Sequence, residues 1–372
     1  MFYYLHQFSD WMGPLNVFRY VNFRAVMAAL TAMLISVVLG PMVIRWLRRL
    51  KFGEHVGDDK DFAKLAELRK SKNATPSMGG ILIVIALTVT TVLWANPKVH
   101  FVWLALFCLL WLAALGWVDD YLKVRKKVRQ GLGGWQKLMG QVVLGLIVGA
   151  WLWLDSDTNK IVRELWVPFV KKPVIDDMGL WAILLVELVI IASANAVNLT
   201  DGLDGLATGC TISCAAALAV MAYVADQPAL AKYLHIPQLK NAGELTVLCA
   251  ALFGAGMGFL WFNCHPAQVF MGDTGALALG GVIGIVALLI QQPLALVIIG
   301  GIFVVEAASV IIQTLWFKWT KSRYGEGRRV FLMTPLHHHF QLKGLDETKI
   351  VVRFWILSLI FALIGVGTLK LR

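Results

Sequence analysis

Residues 195–206 read Asn-Ala-Val-Asn-Leu-Thr-Asp-Gly-Leu-Asp-Gly-Leu. Apolar runs flank them on both sides, 180–194 before and 207–224 after. Each run approaches the roughly 20 apolar residues that a helix needs to cross about 30 Å of hydrocarbon. The stretch therefore reads as a polar connection between two membrane spans. Its carboxylates, Asp201 and Asp204, are each followed by glycine. Charge beside hydrocarbon is costly and normally faces a partner, a cavity or water. Glycine next to such a group suggests a helix end with backbone free to meet a ligand. On its own the stretch reads slightly better as an ordinary polar loop, so its neighbours decide its meaning.

Composition extends the membrane reading to the whole chain. Of 372 residues, 58% are hydrophobic and only 15% charged, outside the range of soluble domains. Apolar windows predict ten spans: 24–46, 78–95, 101–118, 138–154, 180–197, 206–224, 245–262, 276–291, 294–316 and 351–369. They form an all-α polytopic protein with no interrupting soluble domain, read as a single domain over 1–372. The N-terminal 23 residues have no basic-then-apolar signal pattern, so the first span is the expected insertion signal. Five scattered cysteines show neither a disulfide framework nor zinc spacing.

Charge sets the orientation. With the N-terminus outside, the loops after odd-numbered spans carry 22 of the 34 Lys and Arg, against 10 in the outside segments. This is a positive-inside bias, and an even span count then puts both termini outside. The net charge of +11 is explained by topology; no aromatic-basic motif points to nucleic acid. Four polar segments fall on the same, cytoplasmic face: Asp119-Asp120, the 195–206 stretch, 263–275 and His337-His338-His339. The outside loops are motif-poor, although Pro168 and Pro173 suggest a short hairpin there.

In Asp119-Asp-Tyr-Leu-Lys123, a continuing helix puts Asp120 and Lys123 on one face and turns Asp119 about 100° away. One acid could be held by the lysine while the other meets substrate; a solvated helix cap is the plain alternative. Asp273 lies in Phe270-Met-Gly-Asp-Thr-Gly275, just before a span. A carboxylate, a hydroxyl and free N–H groups there can gather a phosphate and its metal, and simple N-capping competes. The oxygen ligands on this face suit Mg²⁺ or Mn²⁺ better than zinc. Three successive imidazoles cannot all face one metal from a regular helix, which favours hydrogen bonding to phosphate or sugar. Glu187 and Glu306 lie within apolar runs and have no evident place in the site.

Six motifs in order carry a family resemblance: Thr75-Pro-Ser-Met-Gly-Gly80, Asp119-Asp-Tyr-Leu-Lys123, Asn195 to Gly205, Phe262-Asn-Cys-His-Pro-Ala267, Phe270 to Gly275 and Pro335-Leu-His-His-His-Phe340. The chain resembles the polyprenyl-phosphate N-acetylhexosamine-1-phosphate transferase superfamily. The Pro-Leu-His-His-His-Phe run resembles its phospho-N-acetylmuramoyl-pentapeptide branch. The resemblance implies ten transmembrane helices in a bacterial inner membrane, commonly as a homodimer. It implies Mg²⁺-dependent transfer from UDP-N-acetylmuramoyl-pentapeptide to undecaprenyl phosphate, giving UMP and the first lipid-linked peptidoglycan precursor. It further implies Asp119, Asp120 and Asp273 as catalytic residues and Asp273 and Asp201 as metal ligands. Lys72, Lys123, Lys137, Asn198, Asp201, Asp204, Asn263, Phe270, His337 and His338 are the implied substrate-binding residues, with Asp204 toward the uracil and Phe270 stacked on it. The alternatives are a related N-acetylglucosamine-1-phosphate transferase and, more distantly, a carboxylate-based membrane transporter.

Overall fold

The computed structural model describes residues 1–50, 75–125, 131–155 and 158–371. Lys72 lies outside the described residues. Two 3₁₀ segments, Phe2–Phe8 and Gly13–Arg19, precede α1 (Val21–Arg49). Then come α2 (Gly80–Trp94), α3 (His100–Arg125), α4 (Gly134–Leu154), α5 (Asn159–Arg163), α6 (Trp181–Thr200) and α7 (Leu206–Asp226). The chain continues as α8 (Pro228–Leu234), α9 (Gly243–Asn263), α10 (Gly272–Leu289), α11 (Pro293–Ile299), α12 (Gly301–Tyr324), α13 (Leu336–Leu342) and α14 (Glu347–Gly367). Among the described residues nine helices are long and apolar enough to cross a membrane, and α2 is a shorter apolar helix. Helices are what such runs must form, because hydrocarbon offers the backbone no other hydrogen-bond partners.

Helix α10 is the axis of the bundle. Of its most apolar window 89% is buried, against 33% for α1, α4, α6 and α14. Its sequence is rich in glycine and alanine, which lets neighbouring backbones approach closely. A Cβ on Gly280 would overlap the Ser193 carbonyl of α6, and one on Gly281 would overlap Leu112 of α3. Helices α3 and α6 therefore pack directly on α10, and α1 packs on α9. The C-terminus of α3 and the N-terminus of α10 meet at one end of the bundle, where Lys123 and Asp273 are in contact.

Three expectations change in detail. The expected ninth span, 294–316, is two helices, α11 and α12, broken at Gly300. The apolar run is continuous across this break, so hydropathy has no signal for it. A Cβ on Gly301 would sit 2.7 Å from the Phe361 ring, and α11 and α12 both pack on α14. The eighth span starts at Gly272 and not at 276, which places Asp273 inside the first helical turn. Helix α3 runs on to Arg125, so Asp119, Asp120 and Lys123 are all helical.

The expected hairpin is present as a bridge: Leu165 donates its N–H to Ile175 O at 2.9 Å, and Val174 donates to Leu165 O at 2.9 Å. Arg163 closes its base with a two-pronged ion pair to Asp177, Nε to Oδ1 at 2.6 Å. The guanidinium holds the Asp177 carboxyl below the usual carboxylate range, helped by the Gly179 N–H. The five cysteines are free; four are buried and Cys264 is exposed.

Candidate active site

Asp119, Asp120 and Asp273 come together although 153 residues separate the second from the third. Each offers a carboxylate oxygen within 4.8 Å of the others. A close helix approach makes this possible: a Cβ on Gly116 would overlap the Asp273 carbonyl. The two aspartates of α3 then take different partners. Asp120 Oδ2 accepts from Thr274 N at 2.9 Å and from Thr274 Oγ1 at 2.7 Å, while Oδ1 accepts from Asp273 N at 3.2 Å. Asp120 is thus the N-terminal cap of α10, supplied by another helix. It satisfies orphan N–H groups and places its charge at the positive end of the helix dipole. Gly272 enters this turn with φ +73°, and a Cβ there would sit 2.7 Å from Asp120 Oδ2. That close approach and left-handed backbone require glycine.

Asp119 points into a basic cluster. Lys123 Nζ lies 2.7 Å from Asp119 Oδ2 and 2.8 Å from Asp273 Oδ2. Lys137, in the first turn of α4, lies 2.9 Å from Asp273 Oδ2 and 3.8 Å from Asp119 Oδ2. Asp119 Oδ1 accepts the Leu132 N–H at 2.6 Å. One acid is held by the lysine, and it is Asp119, the i,i+4 neighbour, although Asp120 shares the i,i+3 face. A helix face admits either spacing; the pull of Thr274 and the Asp273 N–H on Asp120 decides between them. Nor does Asp273 cap its own helix; its side chain meets the lysines.

A second acidic group is centred on Asp204. Its Oδ2 meets His265 Nδ1 at 3.1 Å and accepts the Ala267 N–H at 3.1 Å, and its own N–H donates to Glu347 Oε1 at 2.9 Å. Asp204, His265 and Glu347 offer ligand atoms within 4.8 Å of one another. Asp201, expected as a metal ligand, joins neither this group nor the Asp119 group among the described residues. It terminates α6, with Asn198 half-buried in the helix's last turn. His265 and Glu347 were not foreseen. His265 lies within a quoted motif, but Glu347 is one carboxylate at the start of a span, with no local signal.

The remaining expected residues divide by role. Asn263 is built in: it accepts from Thr208 Oγ1 at 2.8 Å and donates to Val269 O at 2.9 Å. Asn195 of the opening stretch is likewise a packing group, donating to Gln141 Oε1 of α4 at 2.7 Å. Phe270 is half-buried, and its backbone is pinned to the 75–80 motif. Its N–H donates to Pro76 O at 2.9 Å and its carbonyl accepts the Gly79 N–H at 2.7 Å. The three histidines diverge, as the helix geometry predicts. His337 is buried against Glu306, and His338 Nδ1 meets Gln341 Oε1 at 2.8 Å. His339 Nδ1 accepts the Leu332 N–H at 3.1 Å. Burial, with the nearby Lys343 ammonium, holds the His339 imidazole below its usual pKa, in keeping with that neutral acceptor role.

Chemically, the first cluster sets two cations and three acids at one end of the bundle, able to bind a polyanion and a hard divalent cation. A cavity of about 480 Å³ at the other end, beside His100, Lys160 and Gln291, contains none of these residues. Comparison with known proteins agrees with the motif reading. Residues 102–291 match the family described as glycosyl transferase family 4. The chain is 48% identical to a phospho-N-acetylmuramoyl-pentapeptide-transferase of Methylacidiphilum infernorum over 100% of both chains. It is 50% identical to one from Opitutus terrae and 47% identical to one from Solidesulfovibrio magneticus, again over 100% of both chains. A polytopic helical chain that brings these motifs to one end and matches such relatives along its whole length belongs to the phospho-N-acetylmuramoyl-pentapeptide-transferase family.

Proposed function

We propose that the protein transfers phospho-N-acetylmuramoyl-pentapeptide from its UDP conjugate to undecaprenyl phosphate, at the cytoplasmic face of a bacterial inner membrane. An oxygen of the lipid phosphate bonds to the β-phosphorus. The bond from that phosphorus to the bridging oxygen breaks, and UMP leaves with the electron pair. The observation that supports this reading best is the cluster of Asp119, Asp273, Lys123 and Lys137, assembled from three helices in a chain with these full-length relatives. Phosphoryl transfer is mainly positioning and charge neutralisation, which such a cluster supplies. The relatives' name speaks against the N-acetylglucosamine alternative, and the grouping of Asp119, Asp120 and Asp273 at one end of the bundle speaks against an ion path across it.

Mg²⁺ is part of the proposal. Lys123 already bridges Asp119 and Asp273 where a cation would sit, and the donors are all oxygen. Both oxygens of Asp120 are committed to the cap, so Asp273 would hold the ion and Asp119 is left for the lipid phosphate. Bound there, Mg²⁺ would neutralise diphosphate charge. Lys123 and Lys137 would meet the phosphates of the bound substrate, and Asp119 would accept the proton of the lipid phosphate. Direct attack is favoured over a phospho-aspartyl enzyme, because a phosphate is already a competent nucleophile. Asp201, Asp204, Asn198 and Phe270 form the nucleotide-facing wall, with Lys72 and His338 as further substrate contacts, His337 packed behind the wall and Asn263 holding the loop. A homodimer belongs to the same reading.

UMP release by purified protein, with and without Mg²⁺ and undecaprenyl phosphate, tests the reaction. Release that needs both, and that UDP-N-acetylglucosamine does not support, is expected. Labelled phospho-aspartyl enzyme formed from the nucleotide substrate without lipid would overturn direct attack.

A further inference from the structure

Glu306 lies in α12, and neither it nor His337 of α13 is exposed at all. A carboxylate within an apolar span is costly unless something holds it. One Glu306 oxygen, Oε1, accepts the backbone N–H of His337 at 3.2 Å and faces its Nδ1 at 3.3 Å. An oxygen already accepting one N–H orients Nδ1 as a second donor, which leaves Nε2 as the free ring nitrogen. Among the described residues that Nε2 has no hydrogen-bond partner, and neither does Glu306 Oε2. Two partnerless buried polar atoms on one pair call for a role beyond stability.

The direction in which Nε2 points supplies that role. A Cβ added to Gly202 would overlap His337 Nε2. The Nε2 edge of the imidazole therefore abuts Gly202, in the turn that carries Asp201 on one side and Asp204 on the other. Gly202 donates its N–H to Thr200 O at 2.9 Å, and Glu347 holds the Asp204 N–H, so both shoulders of the turn are tethered. Between the tethers, the ring is the surface that sets its height.

We propose that Glu306 is a positioning residue. It fixes the orientation and tautomer of His337, and His337 props the Asp201–Asp204 turn in the shape that receives the nucleotide end of the substrate. The inference rests on reading that turn as the nucleotide-facing wall. Glu306 acts through His337 and does not touch the reacting phosphates.

The test is steady-state kinetics of full-length enzyme in detergent, varying each substrate separately. Glu306→Ala is expected to raise KM for the UDP substrate about tenfold, with KM for undecaprenyl phosphate unchanged and kcat little affected. Glu306→Gln keeps an oxygen for both N–H groups and is expected to restore KM to within about twofold of wild type. Gly202→Ala pushes on the same ring from the other side and is expected to raise the same KM. Combined with Glu306→Ala it should add less than its separate effect, because both act through one side chain. Gly202→Ala carries the test alone if Glu306→Ala does not fold. Wild-type protein that releases no UMP would remove the functional reading. Active wild type with unchanged nucleotide KM in Glu306→Ala and Gly202→Ala would remove this inference alone, as would Glu306→Gln failing as fully as Glu306→Ala.

Discussion

At the scale of single residues, Asp119, Asp120 and Asp273 do different work, and substitution should separate them. Asp273→Asn keeps the shape but lowers the charge facing Lys123 and Lys137, so UMP release is expected to fall by roughly 100-fold or more with the melting temperature nearly unchanged. Asp120→Ala removes three hydrogen bonds from the start of α10 and is expected to cost about 1–3 kcal/mol of stability. Thermal unfolding in detergent, set beside activity per folded molecule, distinguishes the two: loss of activity without loss of stability belongs to Asp273, and loss of stability belongs to Asp120. The sequence shows all three acids and their common face. It does not show which of two adjacent aspartates takes the lysine, because i,i+3 and i,i+4 neighbours share a helix face. The answer came from Thr274, 154 residues away. The pairing of Glu306 with His337 escaped for the same reason: both residues stand out in the sequence, but their contact exists only in three dimensions.

Among the elements, the ten apolar segments were legible because hydrocarbon demands length and apolarity, and both are local properties of the chain. The break at Gly300 was not legible, since Leu294 to Trp316 reads as one apolar run. Helix starts were misjudged where polar residues open a span, as at Gly272, because Asp273 looks like loop until Asp120 caps it. The Leu165–Ile175 hairpin offers a pH test at this scale. Arg163 depresses the Asp177 pKa, so the pair's contribution is fully present above the ordinary carboxylate pKa, about 3.9. It is lost as pH falls through the lowered folded-state value. Hydrogen-exchange protection of the Val174 amide is expected to hold from neutral pH down to about 4 and to fall below it. In Asp177→Asn the protection should be weaker and flat over that range. Equal protection in the two proteins at neutral pH would show that the pair does not hold the hairpin.

For the molecule as a whole, the cluster is close to electrically satisfied before any metal arrives: two ammonium groups already contact Asp119 and Asp273. Chelation is therefore expected to abolish turnover without unfolding the protein. Mg²⁺ should raise the melting temperature only by the mass-action increment of a ligand that binds the native state. A large fall in melting temperature with EDTA would instead make the metal structural. Orientation is the remaining property of the whole chain, and Cys264 is a native reporter of it. The other four cysteines are buried in the bundle, while Cys264 is exposed at the end of α9, next to the His265 that meets Asp204. The charge bias of the sequence predicts that this end faces the cytoplasm. A membrane-impermeant maleimide is expected to label the protein in inverted vesicles and to spare it in right-side-out spheroplasts, with Cys264→Ser abolishing the signal. Bound nucleotide substrate should slow that labelling, because the 263–267 loop also holds Asp204. Labelling of Cys264 from outside would place the acidic cluster on the face that a cytoplasmic UDP-sugar never reaches, and the proposed reaction would fall with it.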